Sequence, residues 1–219
     1  ELLFKCIIEI NMEQMGTDIM VREVILDMSN INFKGNTLDV GINNYGIIYN
    51  ILKQTESEIS VDYYVENFNG EYRNQYDNGV LFFSLSQLHK NEVEDVVKNI
   101  WSNVRFGGNL YIWDREKQKK ETVNDKVKVL MTGNKEKEFE FIDNSISNEF
   151  TVDSSKKILE KYFEIEETKV CDKIIFIKGI KRGSIKNENT ANSNKLKVHS
   201  QQPISEVPEG IYKGFRFPR

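Results

Sequence analysis

Residues able to do chemistry gather in the first half of the chain, in a fixed order. Asp39, Gly41, Asn43 and Gly46 fall within residues 36–46, where Thr37-Leu38-Asp39-Val40 reads as a short strand. A glycine-bearing turn follows, and Ile47-Ile48-Tyr49-Asn50-Ile51-Leu52 opens a helix. A strand that runs through a tight turn into a helix presents backbone N–H groups at the mouth of an α/β nucleotide site. Asp62 lies at the end of a second strand, 59–63, and stands 21 residues beyond Gly41. At about 20 residues from the glycine turn, a carboxylate can accept hydrogen bonds from two adjacent ribose hydroxyls. A strand-end Asp that caps a turn fits the same spacing, so both readings stand. Ser84, Gln87 and His89 follow the apolar run 79–84, at the end of a strand where α/β ligand sites form. His89 could serve as a base, or simply mark a helix entry. No residue is assigned as catalytic.

The totals bound the rest. With 219 residues the chain suits one domain plus an appendage. The net charge of −4 argues against nucleic acid as a partner, since phosphate binding needs a basic face. Cys6 and Cys171 are the only cysteines and match no metal spacing. Two free thiols in a cytosolic protein is the plainer reading, and a disulfide is the alternative. With His89 and His199 alone, no histidine-based metal centre is expected. Residues 2–10 are apolar but are broken by Lys5 and Glu9, which is too short and too charged for a membrane span. A cytoplasmic location with no membrane partner follows as an expectation. Abundant Asn, Lys, Ile and Glu beside a single alanine, Ala191, suggests an AT-rich, bacterial genome.

The elements that must position these residues can be read in turn. Leu3, Cys6, Ile7 and Ile10 fall at helical spacing, and Met15, Ile19, Arg22 and Leu26 continue such a face. Residues 1–30 are therefore expected as helices that cover the sheet or form a lid. Only 15 residues separate Asp62 from Asp77, too few for a βαβ unit of about 30. The run 79–84 suits a central strand buried on both faces. Asn91 with Glu94 reads as a capping box, and Val93, Val96, Val97, Ile100, Trp101 and Val104 form one apolar helix face. A glycine turn at 106–109 leads to a strand at 110–113. Period-2 alternation at 127–131 and 138–142 predicts an inserted hairpin over about 126–143. Asp153 or Ser154 caps a further helix. Strands 163–168 and 173–178 are joined too tightly for a crossover and must pair antiparallel. Residues 183–194 read as a linker. The aromatic tail 203–219 is either a disordered end or an arm docking on its own or a neighbouring subunit, which would make a homo-oligomer.

In this order the pieces resemble the class I S-adenosylmethionine-dependent methyltransferases, especially those acting on small molecules. The matching parts are Leu38-Asp39-Val40-Gly41, Val61-Asp62, Tyr76-Asp77, Leu88-His89, Phe106-Gly107-Gly108-Asn109-Leu110-Tyr111-Ile112 and the closing hairpin 163–178. The resemblance covers about residues 18–181. It implies an α/β, Rossmann-like methyltransferase fold: a mostly parallel sheet with a C-terminal antiparallel hairpin strand, lacking the usual third, edge strand. Residues 31–182 would be that domain. It also implies S-adenosylmethionine as cofactor. Asp39, Gly41, Asn43 and Gly46 would form the first cofactor loop, Asp62 would hold the ribose, Tyr63 would lie beside the adenine, and Ser84 would stand near the same ligand. Gln87 and His89 would face the substrate, a small molecule or peptide. Asn43 and Tyr45 depart from the family, which carries glycines there for close approach. Two functions follow: methyl transfer, or a domain that has kept the scaffold and serves binding or assembly. A nicotinamide oxidoreductase is disfavoured by the final hairpin.

Overall fold

The computed structural model describes residues 5–9, 22–41, 45–54, 61–63 and 74–182, with the backbone alone for 5–9 and 61–63. Its elements in chain order are β1 (Lys5–Glu9), β2 (Arg22–Asp27), β3 (Thr37–Val40), α1 (Ile47–Leu52), β4 (Val61–Tyr63), β5 (Tyr76–Phe82) and α2 (Lys90–Asn103). They continue with β6 (Val104–Arg115), β7 (Val123–Met131), β8 (Lys135–Asp143), α3 (Val152–Leu159), β9 (Glu164–Cys171) and β10 (Ile174–Ile180). Six strands form one sheet in the order β4-β3-β5-β6-β10-β9. The first four run parallel, and β10 is antiparallel to both of its neighbours. The β9–β10 turn places Asp172 and Lys173 at φ 42 and 64, the positive pair that a two-residue type I′ hairpin requires.

A second sheet, β1-β2-β7-β8, was not legible as a unit in the sequence. Residues expected to be helical, Lys5–Glu9 and Arg22–Asp27, are instead the strands β1 and β2, paired antiparallel. In so short a stretch, helical and strand spacings coincide. Val24, Leu26 and Met28 alternate at period 2, and that is the pattern burial selects. Residues 10–21 of the expected helices lie outside the described set. The inserted hairpin is longer than its expected 126–143 span. Strands β7 and β8 run from Val123 to Asp143 and join β2 through a parallel β2–β7 pair.

Successive side chains of the central strands enter different layers. Val80, Phe82, Trp113, Ile174 and Phe176 pack with α1 and with the second sheet, through Val24, Leu26, Val127, Val129 and Phe141. Leu81, Leu110, Ile112, Ile175 and Ile177 pack on the opposite face, against Val93, Val97 and Ile100 of α2 and Ile158 and Leu159 of α3. Contact with α2 is close: a Cβ on Gly79 would come within 2.5 Å of Ile100. The helices are capped by neighbours of the expected residues. His89 precedes α2 and its N–H donates to Glu92, while Glu94 reaches across to Lys161 at 3.1 Å. Thr151, not Asp153 or Ser154, caps α3, accepting from the Ser154 N–H.

A charged network rivets the two sheets. Buried Asp125 on β7 accepts from Arg115 at the end of β6 (2.8 Å) and from Arg22 at the start of β2 (2.6 Å). Arg22 also reaches Asp172 (2.8 Å), and Glu121 accepts from Arg115 and Lys173. Partial burial works against ionisation of Glu121. The Gln118 N–H, Lys173 and Arg115 outweigh it and hold its carboxyl below the ordinary value. A depressed carboxyl contributes stability that is complete above the unfolded value, about pH 4.3, and is lost as pH falls through the lower folded value. Glu121→Gln is therefore expected to flatten the acid limb of stability below about pH 4.3, read by urea unfolding across pH. An unchanged limb would rule the network out as a source of acid sensitivity. Trp113 is wholly buried among Phe33, Phe82 and Phe176, and its indole N–H meets no acceptor among the described residues. Trp113→Ala should cost about 3–5 kcal/mol. Trp113→Phe, which removes the orphaned donor, should cost under about 2 kcal/mol in the same assay.

Candidate functional site

The C-terminal ends of the parallel strands bring the expected residues together in part. Strand β3 is buried along its length, and Asp39 lies near its end, 7% exposed, with Gly41 just beyond. Gly46 starts α1 at φ 66, and its carbonyl accepts from the Asn50 backbone and side chain. In the β3–β4 register Leu38 faces Asp62 and Asp39 faces Tyr63, so the backbone carries Asp62 and Tyr63 to the same end of the sheet as Asp39. Asn43 lies outside the described residues.

On the other side of β3, strand β5 ends at Phe82 and the chain turns at Phe83, φ 49. The loop that follows is organised by Asp114 at the end of β6. This carboxylate is fully buried and collects five donors: the N–H groups of Ser84, Leu85, Ser86 and Arg115 and the Ser86 hydroxyl, at 2.6–3.2 Å. Burial pushes its carboxyl above the ordinary value, and the Ser86, Arg115 and Leu85 donors work in the opposite direction. Ser84 is buried, and its hydroxyl donates to the Val40 carbonyl at 3.4 Å. It thus ties the ends of β3 and β5 to each other.

Among the described residues, aromatic side chains cover the mouth between these ends. Tyr45 stacks on Phe139 of β8 with ring centroids 3.9 Å apart and planes 22° from parallel. Phe139 in turn meets Phe82 and Phe83 edge-on at 5.9 and 5.4 Å. The Lys137 ammonium donates to the Tyr45 carbonyl. Among the described residues, Asp39, Gly41, Tyr45, Gly46 and Phe82 line a cavity of about 10 Å³, room for one water.

Gln87 and His89 sit apart from that mouth. The Gln87 side-chain N–H donates to the Ile142 backbone carbonyl (3.3 Å), and the Gln87 backbone carbonyl accepts from buried Asn148 (2.9 Å). His89 lines a larger cavity, about 370 Å³, between the starts of α2 and α3. Val93, Phe150 and Ile158 give it an apolar floor; Lys90, Ser147 and Ser154 give it a polar rim. One wall, the loop 144–150, is fixed by wholly buried Lys117. Its ammonium meets Asp143 at 2.6 Å and the Ser145 carbonyl at 2.5 Å, and its backbone bridges to Phe150. Among the described residues no group of three His, Cys, Asp or Glu side chains could hold a metal ion, and no helix is long and apolar enough to cross a membrane.

Asp114, Phe139, Lys137 and the walls of the larger cavity carry no local signature in the sequence. Their partners lie tens of residues away.

No protein-family model and no curated protein matches the sequence. Solved structures are similar at the level of backbone. A Pyrococcus horikoshii protein is 12% identical, with 68% of this chain and 83% of that one covered and a TM-score of 0.46. The Burkholderia thailandensis 1,6-didemethyltoxoflavin-N1-methyltransferase, solved with 1,6-didemethyltoxoflavin and S-adenosylhomocysteine bound, is 11% identical over 68% and 72% at 0.48. An S-adenosylmethionine-dependent methyltransferase from Methanosarcina mazei is 16% identical over 69% and 94% at 0.46. Likeness of this degree decides neither ligand nor reaction.

Asp114→Asn keeps the shape of the side chain but turns an amide N–H₂ toward backbone donors. It is expected to cost about 2–4 kcal/mol in chemical unfolding and to raise hydrogen exchange at Ser84, Leu85 and Ser86. Unchanged protection of those three amides would contradict the role given to Asp114.

Proposed function

We propose that this chain binds S-adenosylmethionine at the C-terminal ends of its parallel strands and transfers the methyl group to a small molecule or peptide. The observation that carries this reading is the strand order β4-β3-β5-β6-β10-β9, four parallel strands closed by an antiparallel hairpin. The same order puts Asp39, Gly41, Asp62 and Tyr63 at one end. In this reading Asp39, Gly41, Asn43 and Gly46 serve the methionine end, Asp62 the ribose, Tyr63 the adenine side, and Ser84 the loop between them. The usual third strand and its helix have no room between β4 and β5. Gln87 and His89 belong to the substrate side, and the 370 Å³ cavity beside His89, apolar below and polar at its rim, suits a small amphipathic molecule.

The residues fit such a cofactor in kind, but the closed mouth does not fit it in volume. A nucleoside cannot enter about 10 Å³. That closure favours a second reading, a scaffold without transfer activity. Binding separates the two. Millimolar S-adenosylhomocysteine is expected to raise the melting temperature by several degrees, as mass action requires of a ligand that binds only the folded state. Asp62→Ala should lose most of that shift. The denatured protein should also release S-adenosylmethionine or S-adenosylhomocysteine to mass spectrometry. Absence of both effects would overturn methyl transfer.

A further inference from the structure

We propose that β8 is an internal competitor for the cofactor: Phe139 and Lys137 hold Tyr45 across the mouth, and a nucleoside ligand enters only after they withdraw. This rests on the cofactor reading above and names how that site is regulated. Phe139 packs beside the end of β5 and the start of α1, against Tyr45, Phe82 and Phe83. Lys137 fixes the same arrangement from the backbone side. Its ammonium holds the Tyr45 carbonyl and lies 3.3 Å from where a Cβ on Gly46 would stand. Tyr45 therefore cannot keep this stacked position once a ligand occupies the space beside Asp39 and Gly41.

The strand that supplies these groups is built unevenly. Its far half is anchored, since Phe141 and Asp143 are buried and Asp143 is paired with Lys117. Its near half, from Lys135 to Glu138, is exposed and follows a tight turn through Gly133 and Asn134, both at positive φ. β8 is also an edge strand among the described residues, hydrogen-bonded to β7 alone. The acidic side chains Glu136 and Glu138 pair with Lys126 and Lys128 of β7, and Lys126 also approaches Glu23 of β2. Moving this half away from the mouth gives up its hold on Tyr45 and its ladder to β7 from Val127–Phe139 to Met131–Lys135, so the open form is the minor one. Lys137 has no carboxylate partner among the described residues. Its one directed bond there is the one that closes the mouth.

Self-occupancy of this kind lowers apparent affinity by the fraction of molecules that are open. The test compares S-adenosylhomocysteine binding by calorimetry in the native protein, Phe139→Ala and Lys137→Met. Removing the stacked ring should tighten binding by about tenfold, and removing the ammonium by about threefold. In the native protein, saturating S-adenosylhomocysteine should speed hydrogen exchange at the Lys137–Phe141 amides. Should Phe139→Ala fail to fold, Lys137→Met and the exchange measurement decide. Equal affinity in all variants, with unchanged exchange, overturns the gate and leaves the cofactor reading standing. No binding in any variant overturns the cofactor reading and the gate with it, so the two failures are distinguishable.

Discussion

Strands β5, β6 and β10 are apolar on both faces, and each face must be kept from water. Val80 and Phe82 point into one layer while Leu81 points into the other; Trp113 and Ile112 divide in the same way, as do Phe176 and Ile177. A sheet of this kind is unstable until two covers are in place. One cover is helical, α2 and α3. The other is mainly a second sheet, with the short α1 beside it. A sheet lays its side chains in rows, so Phe139 and Phe141 reach Phe83 at the end of β5 from positions two residues apart on one face of β8. The closed mouth is thus a by-product of which kind of cover the chain uses.

This explains where reading from the sequence succeeded. The run from Val80 to Ser84 declares a buried strand by its own composition, and Val93, Val97 and Ile100 declare a helix face by local spacing. Asp39 and Asp62 end up at one sheet end because both lie near the ends of adjacent parallel strands. What failed was non-local. Arg22 to Asp27 is too short for its period to exclude a helix, and its partner β7 lies about a hundred residues on, the Arg22–Asp125 contact spanning 103. Tyr45 and Phe139 are 94 residues apart, and nothing near either residue announces the other. Asp114 looks like an ordinary strand-end acid until the loop from Ser84 to Ser86 folds around it.

The walls around the two cavities are held by opposite charges used in similar ways. Asp114, buried at the end of β6, gathers N–H and O–H donors and fixes the loop after β5. Lys117, three residues on and equally buried, gathers a carboxylate and a carbonyl and fixes the loop before α3. Breaking either would leave a buried group without its partners, so these loops are stiff. The near half of β8 is exposed and pairs with β7 alone among the described residues.

The parallel β2–β7 pair carries one more consequence, for the order in which the molecule is made. During synthesis β2 emerges early and must wait for β7, while β3, β5 and β6 can already assemble. In that interval the side of β2 that will pair with β7, and the sheet face that the second layer will bury, stand open to water. A chain shortened so that β2 is lost would keep the β7–β8 hairpin but give β7 a free edge beside Val127 and Val129. Such an edge invites pairing between molecules. The N-terminal strands thus protect the protein from self-association as much as they complete its fold.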